Sequence, residues 1–505
     1  MGRKKGVLLS YILMIMEVLS TLLLTPFIIR SLGGAEYGVY KLSASIVSYL
    51  MLLDLGVGNA VTRYVAKYRA NNNEEECRKF LGVTVVFYSA IAVICLVLGF
   101  VLIAIFPTTF ATGLTPDEIS LGQTLLFVTV LNAALTMGTA QYQSIIIAYE
   151  RFDVSRGSSI VQIIVRVALT ILVLNLGMGS VGIVWVTFFL TLVFRLYLVF
   201  FVTKKLKLRP QYRGIKMSFI KEITVYSSMI LLQMIATQIN ACADSVLLGI
   251  IVPASSVLIA TYGVGQLIIQ YYQSIGSAVN GVLMPGVVKM VEKGATPKIL
   301  CDEMVRIGRW IFMLIGGIWC CFLVFGQQFI NLWAGEEYGQ AYIVAIMLMT
   351  AHMFILTEAI GTQILWAKGE HKEQSILKIS IVVLNVGLTI LLINWQPLYG
   401  ATLGTFISLM LGDVFVMNLV FKRKLKISLL SYYKGLFKGI LPSMIISIAA
   451  GLLFMLIGLG GWIGFFVNVA VMVAVYFGML MLFGMNKYEK GTLSGILKKV
   501  LRRQR

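Results

Sequence analysis

The chain has 505 residues, of which 59% are hydrophobic and 13% are charged, and its mean hydropathy is +0.90. A soluble globular protein of this length has a far more polar composition, so these values exclude that class. The formal net charge of +20 would suit a nucleic-acid-binding protein. The basic residues, however, are spread in short segments between apolar ones, which argues against a nucleic-acid partner.

Apolar segments long enough to cross about 30 Å of hydrocarbon recur along the whole chain. The first follows the basic residues 3–5 and contains no signal-peptide cleavage site, so we interpret it as a retained span. The sequence therefore predicts an all-α polytopic membrane protein. Its fourteen predicted spans lie at about residues 7–30, 38–62, 80–106, 121–147, 157–176, 181–203, 222–250, 256–286, 308–332, 340–366, 374–394, 398–421, 437–458 and 461–484.

The Lys and Arg residues show on which side of the membrane each segment lies. If the N-terminus is cytoplasmic, 38 of the 42 lie in cytoplasmic segments and the outer loops contain none. This asymmetry follows the positive-inside rule and predicts that both termini are cytoplasmic. The basic loops 204–221 and 422–438 are therefore expected to contact anionic lipid headgroups.

An internal repeat relates the two halves of the chain. ALTILVLN at 168–175 recurs as GLTILLIN at 387–394, and YGV at 37–39 recurs at 262–264. Each match moves a span forward by six, and because six is even the halves have the same orientation. The sequence thus predicts two parallel six-helix lobes. The predicted domains are an N-terminal lobe (1–203), a basic cytoplasmic linker (204–221), a C-terminal lobe (222–421), a cytoplasmic loop with two extra transmembrane helices (422–484), and a basic amphipathic cytoplasmic tail (485–505).

Polar side chains form stripes along several predicted spans. One helix face of span 8, for example, carries Gln266, Gln270 and Gln273 at helical spacing. Such stripes avoid lipid, and two explanations are open: hydrogen bonds between helices, or the lining of a wet central cleft. We favour the cleft because stripes occur on the first two helices of each half. The predicted polar lining consists of Gln162, Gln233, Asn240, Gln266, Gln270, Gln273 and Asn385.

Four basic residues lie within or beside spans: Arg30, Lys41, Arg166 and Arg195. Arg166 follows Arg156 by ten residues, which places it roughly 15 Å into the membrane. A charge at that depth is expensive and indicates a function unless it belongs to a buried ion pair. By the repeat, Arg166 corresponds to Asn385 and Arg195 to Asp413, so the cations are confined to one half. This asymmetry favours a site that holds an anion mainly in the N-terminal half.

Five acidic residues also lie within predicted spans. They are expected either to neutralise the arginines or to take up H⁺ or Na⁺ during a transport cycle, and the sequence does not separate these roles. The five are Glu17, Asp54, Asp244, Glu358 and Asp413.

Several segments resemble the oligosaccharide flippase (Wzx-like, polysaccharide transporter) family of the multidrug/oligosaccharidyl-lipid/polysaccharide exporter superfamily. The segments are TPFIIRSLGGAEYGVYKL, LLDLGVGNAVTRYVAKY, QINACADSVLLGIIVPASSVLIATYGV and ILWAKGEHK. The resemblance implies a MATE-like fold, with two six-helix lobes around a central cleft and two added C-terminal helices. It also implies that the four span-associated cations hold an anionic substrate.

The resemblance implies a function in the plasma (inner) membrane of a bacterium, without an enzymatic activity. Undecaprenyl-diphosphate-linked oligosaccharide would move from the cytoplasmic to the outer leaflet by alternating access, for cell-surface polysaccharide export. The candidate partners are a polysaccharide polymerase and glycosyltransferases, and a coupling ion is the one candidate cofactor.

Three other functions remain as alternatives. A multidrug exporter of the same fold should prefer acidic or aromatic cavity walls, and four cations in one lobe argue against it. A lipid II flippase has nearly the same chemical requirements. A membrane glycan polymerase or ligase would need a large outer loop with basic residues, whereas the predicted outer loops are short and lack Lys, Arg and His.

Overall fold

The computed structural model describes the backbone of residues 3–54, 56–212, 217–370, 372–456, 458 and 460–503. Side chains are described for fewer positions, and those at 217–233 and 496–503 are among the ones left out. Within the described backbone the chain forms helices and no β-strand. The helices are α1 (Arg3–Leu50), α2 (Val57–Ala70), α3 (Glu74–Thr109), α4 (Pro116–Gly138), α5 (Ala140–Ala148), α6 (Phe152–Asn175), α7 (Gly179–Phe200), α8 (Met217–Ile251), α9 (Ser256–Glu292), α10 (Pro297–Trp333), α11 (Ala341–Ala367), α12 (Lys372–Ile393), α13 (Pro397–Leu409), α14 (Met417–Val420), α15 (Leu429–Phe437), α16 (Ile440–Met455), α17 (Gly461–Met479) and α18 (Lys487–Arg503).

Short segments of tighter or wider helix connect some of these elements. Turns of 3₁₀ helix follow α1 and α10, and each π-helical segment directly continues a preceding α-helix. The π-helical segments are Phe201–Lys205, Met410–Val416, Phe421–Leu425 and Leu480–Gly484. A π-helical turn accommodates an extra residue and changes which side chains face a neighbouring helix.

The apolar helices confirm the all-α polytopic class. Among the described residues, 11 helical runs are long and apolar enough to cross a membrane, and the pair α15–α16, bent by 42°, makes a twelfth. The predicted number of fourteen is not tested by this comparison. The run Leu9–Ala70 covers the first two predicted spans together, and α9 contains positions whose side chains are not described.

The break between the first two predicted spans lies at Gly33. Its φ of 73° and ψ of 170° interrupt α1, and the positive φ is a conformation that glycine adopts without steric cost. Pro26, by contrast, remains inside the helix. A single glycine therefore divides one continuous helical run where the sequence predicts a loop.

The chain forms two compact units. Unit 1 comprises Met1–Gly263 with Thr389–Ala401, and unit 2 comprises Val264–Leu388 with Thr402–Arg505. In unit 1, α1 packs against α4, α6 and α8, and α6 packs against α7. In unit 2, α10 packs against α11, α15, α16 and α17, so the added C-terminal helices surround one central helix.

Close backbone contacts hold α1 and the turn after α3 against the last turn of α8 and the turn between α8 and α9. A Cβ atom at Gly38 would lie 1.8 Å from the carbonyl oxygen of Ser256, so only glycine fits there. A Cβ atom at Gly113 would lie 1.9 Å from the carbonyl oxygen of Gly249, and the amide of Ser255 donates to the Gly113 carbonyl at 2.8 Å. These contacts explain why α8 belongs to unit 1. The predicted lobe boundary at 204–221 stays a prediction.

A buried arginine connects α10 to the C-terminal helices of unit 2. Arg309 is 5% exposed, and its Nε lies 2.6 Å from Oε1 of Glu489, which is 1% exposed. The guanidinium also donates to the carbonyl oxygens of Gly435, at 2.9 Å, and Gly484, at 2.5 Å. These carbonyls lie in the last turn of α15 and in the π-helical segment after α17, where helix ends leave acceptors without intrahelical donors. Arg309 thus satisfies two helix ends and fixes the start of α18, the helix that the sequence predicts in the tail.

Candidate functional site

The first two predicted cations lie on α1, on either side of its break. Arg30 precedes Gly33 and is exposed. Lys41 follows it and is half-buried, with Nζ 5.4 Å from the centroid of the Tyr37 ring. A Cβ atom on Gly263 would lie 3.3 Å from Cγ of Lys41, so the aliphatic stem of the lysine packs against the first turns of α9. The ring face of Tyr37 attracts the ammonium group electrostatically.

The other two cations lie on α6 and α7, which pack against each other and against α1. Arg166 and Arg195 are both half-buried, and Arg166 is near enough to Tyr40 on α1 to interact with it electrostatically. Among the side chains that the structure describes, no carboxylate forms an ion pair with either arginine. The structure therefore brings together, in unit 1, the helices that carry all four predicted cations.

The repeat-related positions in the C-terminal half have internal partners. The Thr405 hydroxyl donates to Oδ1 of Asn385 at 3.0 Å, and both residues are buried. Asp413 lies in the π-helical segment Met410–Val416, and its Oδ1 is 2.6 Å from Nζ of Lys378 on α12. The positions that correspond to Arg166 and Arg195 are thus occupied by polar groups that the protein itself satisfies.

Lys378 is a functional candidate that the sequence analysis missed. It lies near the start of predicted span 11, at the end that the charge pattern places on the cytoplasmic side. The repeat could have indicated Lys378. This residue corresponds to Ser159, which lies on the same helix face as Arg166. In the C-terminal half, Asp413 pairs with Lys378 on the neighbouring helix. In the N-terminal half the corresponding residues are Arg195 and Ser159, so Arg195 finds no anion at the matching position.

Asp244 lies at the centre of a hydroxyl-rich group in unit 1. It is 1% exposed and accepts hydrogen bonds from the hydroxyl of Tyr262 and, at 3.1 Å, from Oγ1 of Thr389. The residues come from α8, α9 and α12, so one carboxylate connects three helices. Asp244 therefore links these helices through hydroxyl donors.

Glu358 has a comparable environment in unit 2. It is 3% exposed, and Nδ2 of Asn418 lies 3.0 Å from each of its two carboxylate oxygens. The Tyr433 hydroxyl donates to Oε1. Asn418 and Tyr433 were not singled out from the sequence, since both lie in segments without a polar stripe.

The remaining two acidic residues lie in more accessible positions. Glu17 on α1 is exposed, and Asp54 is half-buried in the 3₁₀ turn that follows α1. Asp54 lies beside the buried hydroxyl of Tyr88 on α3. Neither residue forms an ion pair with Arg166 or Arg195, so the arginines are not neutralised by any of the five acidic residues named from the sequence.

The predicted polar lining is partly exposed and partly used between helices. Gln270 is exposed, Asn385 is buried, and Gln162, Asn240, Gln266 and Gln273 are half-buried; the Gln233 side chain lies outside the described residues. Ser48, on the predicted stripe of span 2, contacts α8 through Nε2 of Gln238 at 2.8 Å. Asn280, on the stripe of span 8, donates to the Leu356 carbonyl at 3.1 Å. The stripes therefore include interhelical hydrogen bonds, which was the alternative explanation for them.

The family model of the polysaccharide biosynthesis proteins matches residues 4–291, more than half of the chain. This chain belongs to that family. No curated protein matches the sequence. The matched region contains α1 to α8 and nearly all of α9, and it includes the four predicted cations.

Solved structures show which fold the polysaccharide biosynthesis family member adopts. The lipid II flippase MurJ, in an inward closed conformation, aligns with a TM-score of 0.74 at 13% identity, over 94% of this chain and 98% of that one. The MATE multidrug transporter DinF-BH in complex with R6G aligns with a TM-score of 0.61 at 18% identity, over 83% of this chain and 95% of that one. A MOP superfamily transporter from Pyrococcus furiosus, described as having a binding pocket of reverse polarity, aligns with a TM-score of 0.56 at 15% identity, over 83% and 97% of the two chains.

These matches show that this family member has a helical fold similar to those of MurJ and the MATE transporters. With at least 11 apolar helical runs among its described residues, it is a multi-pass membrane protein. Identities of 13 to 18% show the fold alone. The substrate has to be argued from the residues of this chain.

Proposed function

We propose that this protein is a flippase that moves undecaprenyl-diphosphate-linked oligosaccharide from the cytoplasmic to the outer leaflet of a bacterial plasma membrane. The observation that carries the proposal is the state of Arg166 and Arg195. Both are half-buried in apolar helices, and no carboxylate among the described side chains pairs with them. An intramembrane guanidinium is costly unless an anion compensates it. A diphosphate that links a lipid to a glycan would supply that anion.

Membership of the family supports a lipid-linked oligosaccharide as the substrate. The protein belongs to the polysaccharide biosynthesis family, and the structural match to MurJ is to a protein whose name specifies a lipid-linked substrate. Guanidinium groups bind phosphate oxygens through paired N–H donors, so two arginines on adjacent helices suit a diphosphate. The half-buried Gln162, on the same helix as Arg166, could hydrogen-bond the sugar hydroxyls.

The proposed cycle is alternating access. The basic side chains and the substrate bound to them are exposed first to the cytoplasm and then to the outer surface. The proposed orientation has both termini in the cytoplasm, where the basic loops contact anionic lipids. Glycosyltransferases would act on the oligosaccharide before transport, and a polymerase would act on it after transport. An H⁺ or Na⁺ gradient is the proposed driving force, because the buried carboxylate of Glu358 has neutral hydrogen-bond donors as partners.

Lipid II transport is the second candidate. It is favoured by the match to MurJ, which extends over 94% of this chain. A multidrug function has weaker support, since the cations of unit 1 would repel a cationic drug.

The test is translocation of a fluorescent undecaprenyl-diphosphate-linked oligosaccharide in proteoliposomes, measured as protection of the headgroup from a membrane-impermeant quencher. We expect transport by the unmodified protein and its loss in the double variant Arg166→Ala, Arg195→Ala. The control is Lys289→Ala with Lys293→Ala, which removes two charges from exposed side chains and should transport normally.

Each other result has a defined meaning. Normal transport by the double arginine variant would overturn the role assigned to the arginines. Transport of lipid II in place of the oligosaccharide would favour the second candidate, and transport of a cationic dye alone would favour a multidrug exporter.

A further inference from the structure

Glu358 is a buried carboxylate whose hydrogen-bond donors are all neutral. It lies on α11, and it accepts from the amide of Asn418 on α14 and from the hydroxyl of Tyr433 on α15. In the part of the chain whose side chains are described, no Lys, Arg or His forms an ion pair with it. A buried ionised carboxylate is strongly disfavoured unless a cation or a metal compensates its charge. Glu358 therefore needs a cation from outside the chain.

The charged groups around Glu358 increase this need. The ionisable residue that faces it from the π-helical segment Met410–Val416 is Asp413, a like charge. Asp413 is already paired with Lys378 of α12 at 2.6 Å, so the lysine is committed elsewhere. On α11 itself, His352 directs Nδ1 to the Leu348 carbonyl at 2.9 Å. The region contains two carboxylates, those of Glu358 and Asp413, and one ammonium group, that of Lys378. One negative charge therefore has no positive counterpart when both carboxylates are ionised.

Among the side chains that the structure describes, the other elements packed against α11 supply no cation to the site. From α15 the residues near Glu358 are Tyr432 and Tyr433, and behind Tyr432 lies Cys301 of α10. One turn along α11, a Cβ atom on Gly361 would meet Met304 of α10 and the ring of Phe421. These neighbours are phenols, a thiol and apolar side chains, which are neutral at physiological pH.

The hydrogen bonds also allow Glu358 to be neutral. Oδ1 of Asn418 is buried and has no donor in the described structure, and Asn418 is 5% exposed. A protonated Glu358 could donate its new O–H to the oxygen of Tyr433, or to Asn418 Oδ1 after rotation of the amide. The charged form accepts from the amide of Asn418 and the hydroxyl of Tyr433, and the neutral form donates one hydrogen bond, so the same three residues can serve both states.

We infer that Glu358, Asn418 and Tyr433 form a proton-binding site in unit 2. One H⁺ binds a carboxylate oxygen of Glu358 and leaves from the same oxygen, with no other bond made or broken. A proton fits this site better than Na⁺, because the amide nitrogen of Asn418 faces both carboxylate oxygens and an N–H donor does not coordinate a metal ion.

Proton binding at this site would change how three helices are held together. In the charged state Glu358 binds both α14 and α15, and Asn418 also donates to the Val414 carbonyl at 2.8 Å within the π-helical segment. Neutralisation weakens the bonds to α14 and α15, since hydrogen bonds to a charged acceptor are stronger than those to a neutral one. Resting on the proposed function, we assign this site the uptake of one proton in each transport cycle.

The first experiment detects the proton directly and does not depend on transport. The infrared difference spectrum of the purified full-length protein between about pH 6.5 and about pH 9 should contain a carboxylic-acid C=O band. Exposed glutamates, with a usual pKa of about 4.3, stay ionised over this range. The band should be absent in Glu358→Gln. The control Glu292→Gln changes an exposed glutamate and should leave the band unchanged.

A second variant keeps the test decisive if Glu358→Gln does not fold. Tyr433→Phe removes one donor to the charged form, so the midpoint of the band should move to higher pH. A band that persists in Glu358→Gln, or a midpoint unchanged in Tyr433→Phe, overturns the proposal. If adding Na⁺ at constant pH abolishes the band in the unmodified protein, the site binds a metal ion and the proton assignment is wrong.

Transport then connects the site to the cycle. In proteoliposomes, an imposed pH gradient should change the rate of oligosaccharide transport by the unmodified protein and have no effect on Glu358→Gln. A Glu358→Gln variant that responds to the gradient as the unmodified protein does overturns the coupling role. If the unmodified protein moves no lipid-linked oligosaccharide although the infrared band is present, the proposed function fails and the proton site stands.

Discussion

Arg309 in unit 2 is buried and Arg166 in unit 1 is half-buried, but the surroundings of these two arginines differ. Arg309 pairs with Glu489 and donates to backbone carbonyl oxygens of three C-terminal segments. Arg166 has no carboxylate partner among the described side chains. A structural arginine in this protein thus has its donors used internally. Arg166 and Arg195 depart from that pattern, which is why we assign their anion to a substrate.

The largest expected effect is a difference in the free energy of unfolding between variants of Arg309 and of Arg166. Arg309→Met leaves Glu489 buried without a cation and two helix ends without donors, and should lower the free energy of unfolding by about 3–5 kcal/mol. Arg166→Met removes a charge without breaking an ion pair, so stability should stay the same or rise slightly. Thermal unfolding of the detergent-solubilised variants checks this. Equal losses in both variants would show that Arg166 also has a structural role.

An intermediate effect is expected for the paired cation of unit 2. Asp413→Asn leaves Lys378 without its anion, and should lower stability by about 2 kcal/mol, because the lysine side chain keeps partial access to solvent. The double variant Lys378→Met, Asp413→Leu removes both charges and should recover most of that loss. Thermal unfolding of the single and double variants measures the coupling. If the effects of the single changes simply add, the two residues do not act as a pair.

The smallest effect separates the two repeat-related positions. Arg166→Gln should weaken oligosaccharide binding about tenfold, the loss expected for a hydrogen bond to a charged group, with stability unchanged. Asn385→Ala should leave binding unchanged and lower stability by about 1 kcal/mol, because the buried Thr405 hydroxyl loses its acceptor. Binding curves and unfolding of both variants give the comparison. The reverse pattern would place the binding site in the C-terminal half.

Several features of the fold could be predicted from the sequence. Hydropathy and helical periodicity indicated the membrane helices, the tail helix and the polar stripes, because these patterns repeat within a single helix. The repeat predicts that α6 corresponds to α12 and that Arg166 and Asn385, which differ in charge, occupy corresponding positions. This correspondence stays a prediction. The family could also be recognised, and its model matches residues 4–291. The four site cations remain predictions.

Other features required the three-dimensional structure. The glycine break at residue 33 and the close approach of Gly38 to Ser256 depend on backbone geometry that has no signal in hydropathy. The pair Lys378–Asp413 joins residues 35 apart in the chain, and Arg309–Glu489 joins residues 180 apart. These partners could not be found from periodicity, which describes one helix and not the helix that packs against it.

The sequence alone determined that this protein lies in a membrane, since transfer of an apolar segment from water to hydrocarbon depends mainly on the composition of that segment. It also places Arg30, Lys41, Arg166 and Arg195, the four predicted site cations, in the N-terminal half. The tertiary structure decided which charges are compensated, because ion pairs and hydrogen bonds form only between faces that packing brings within about 3–4 Å. Arg309, Lys378 and Asp413 gained partners in this way. Glu358 gained neutral donors and no cation, which only the packing of α11, α14 and α15 could reveal.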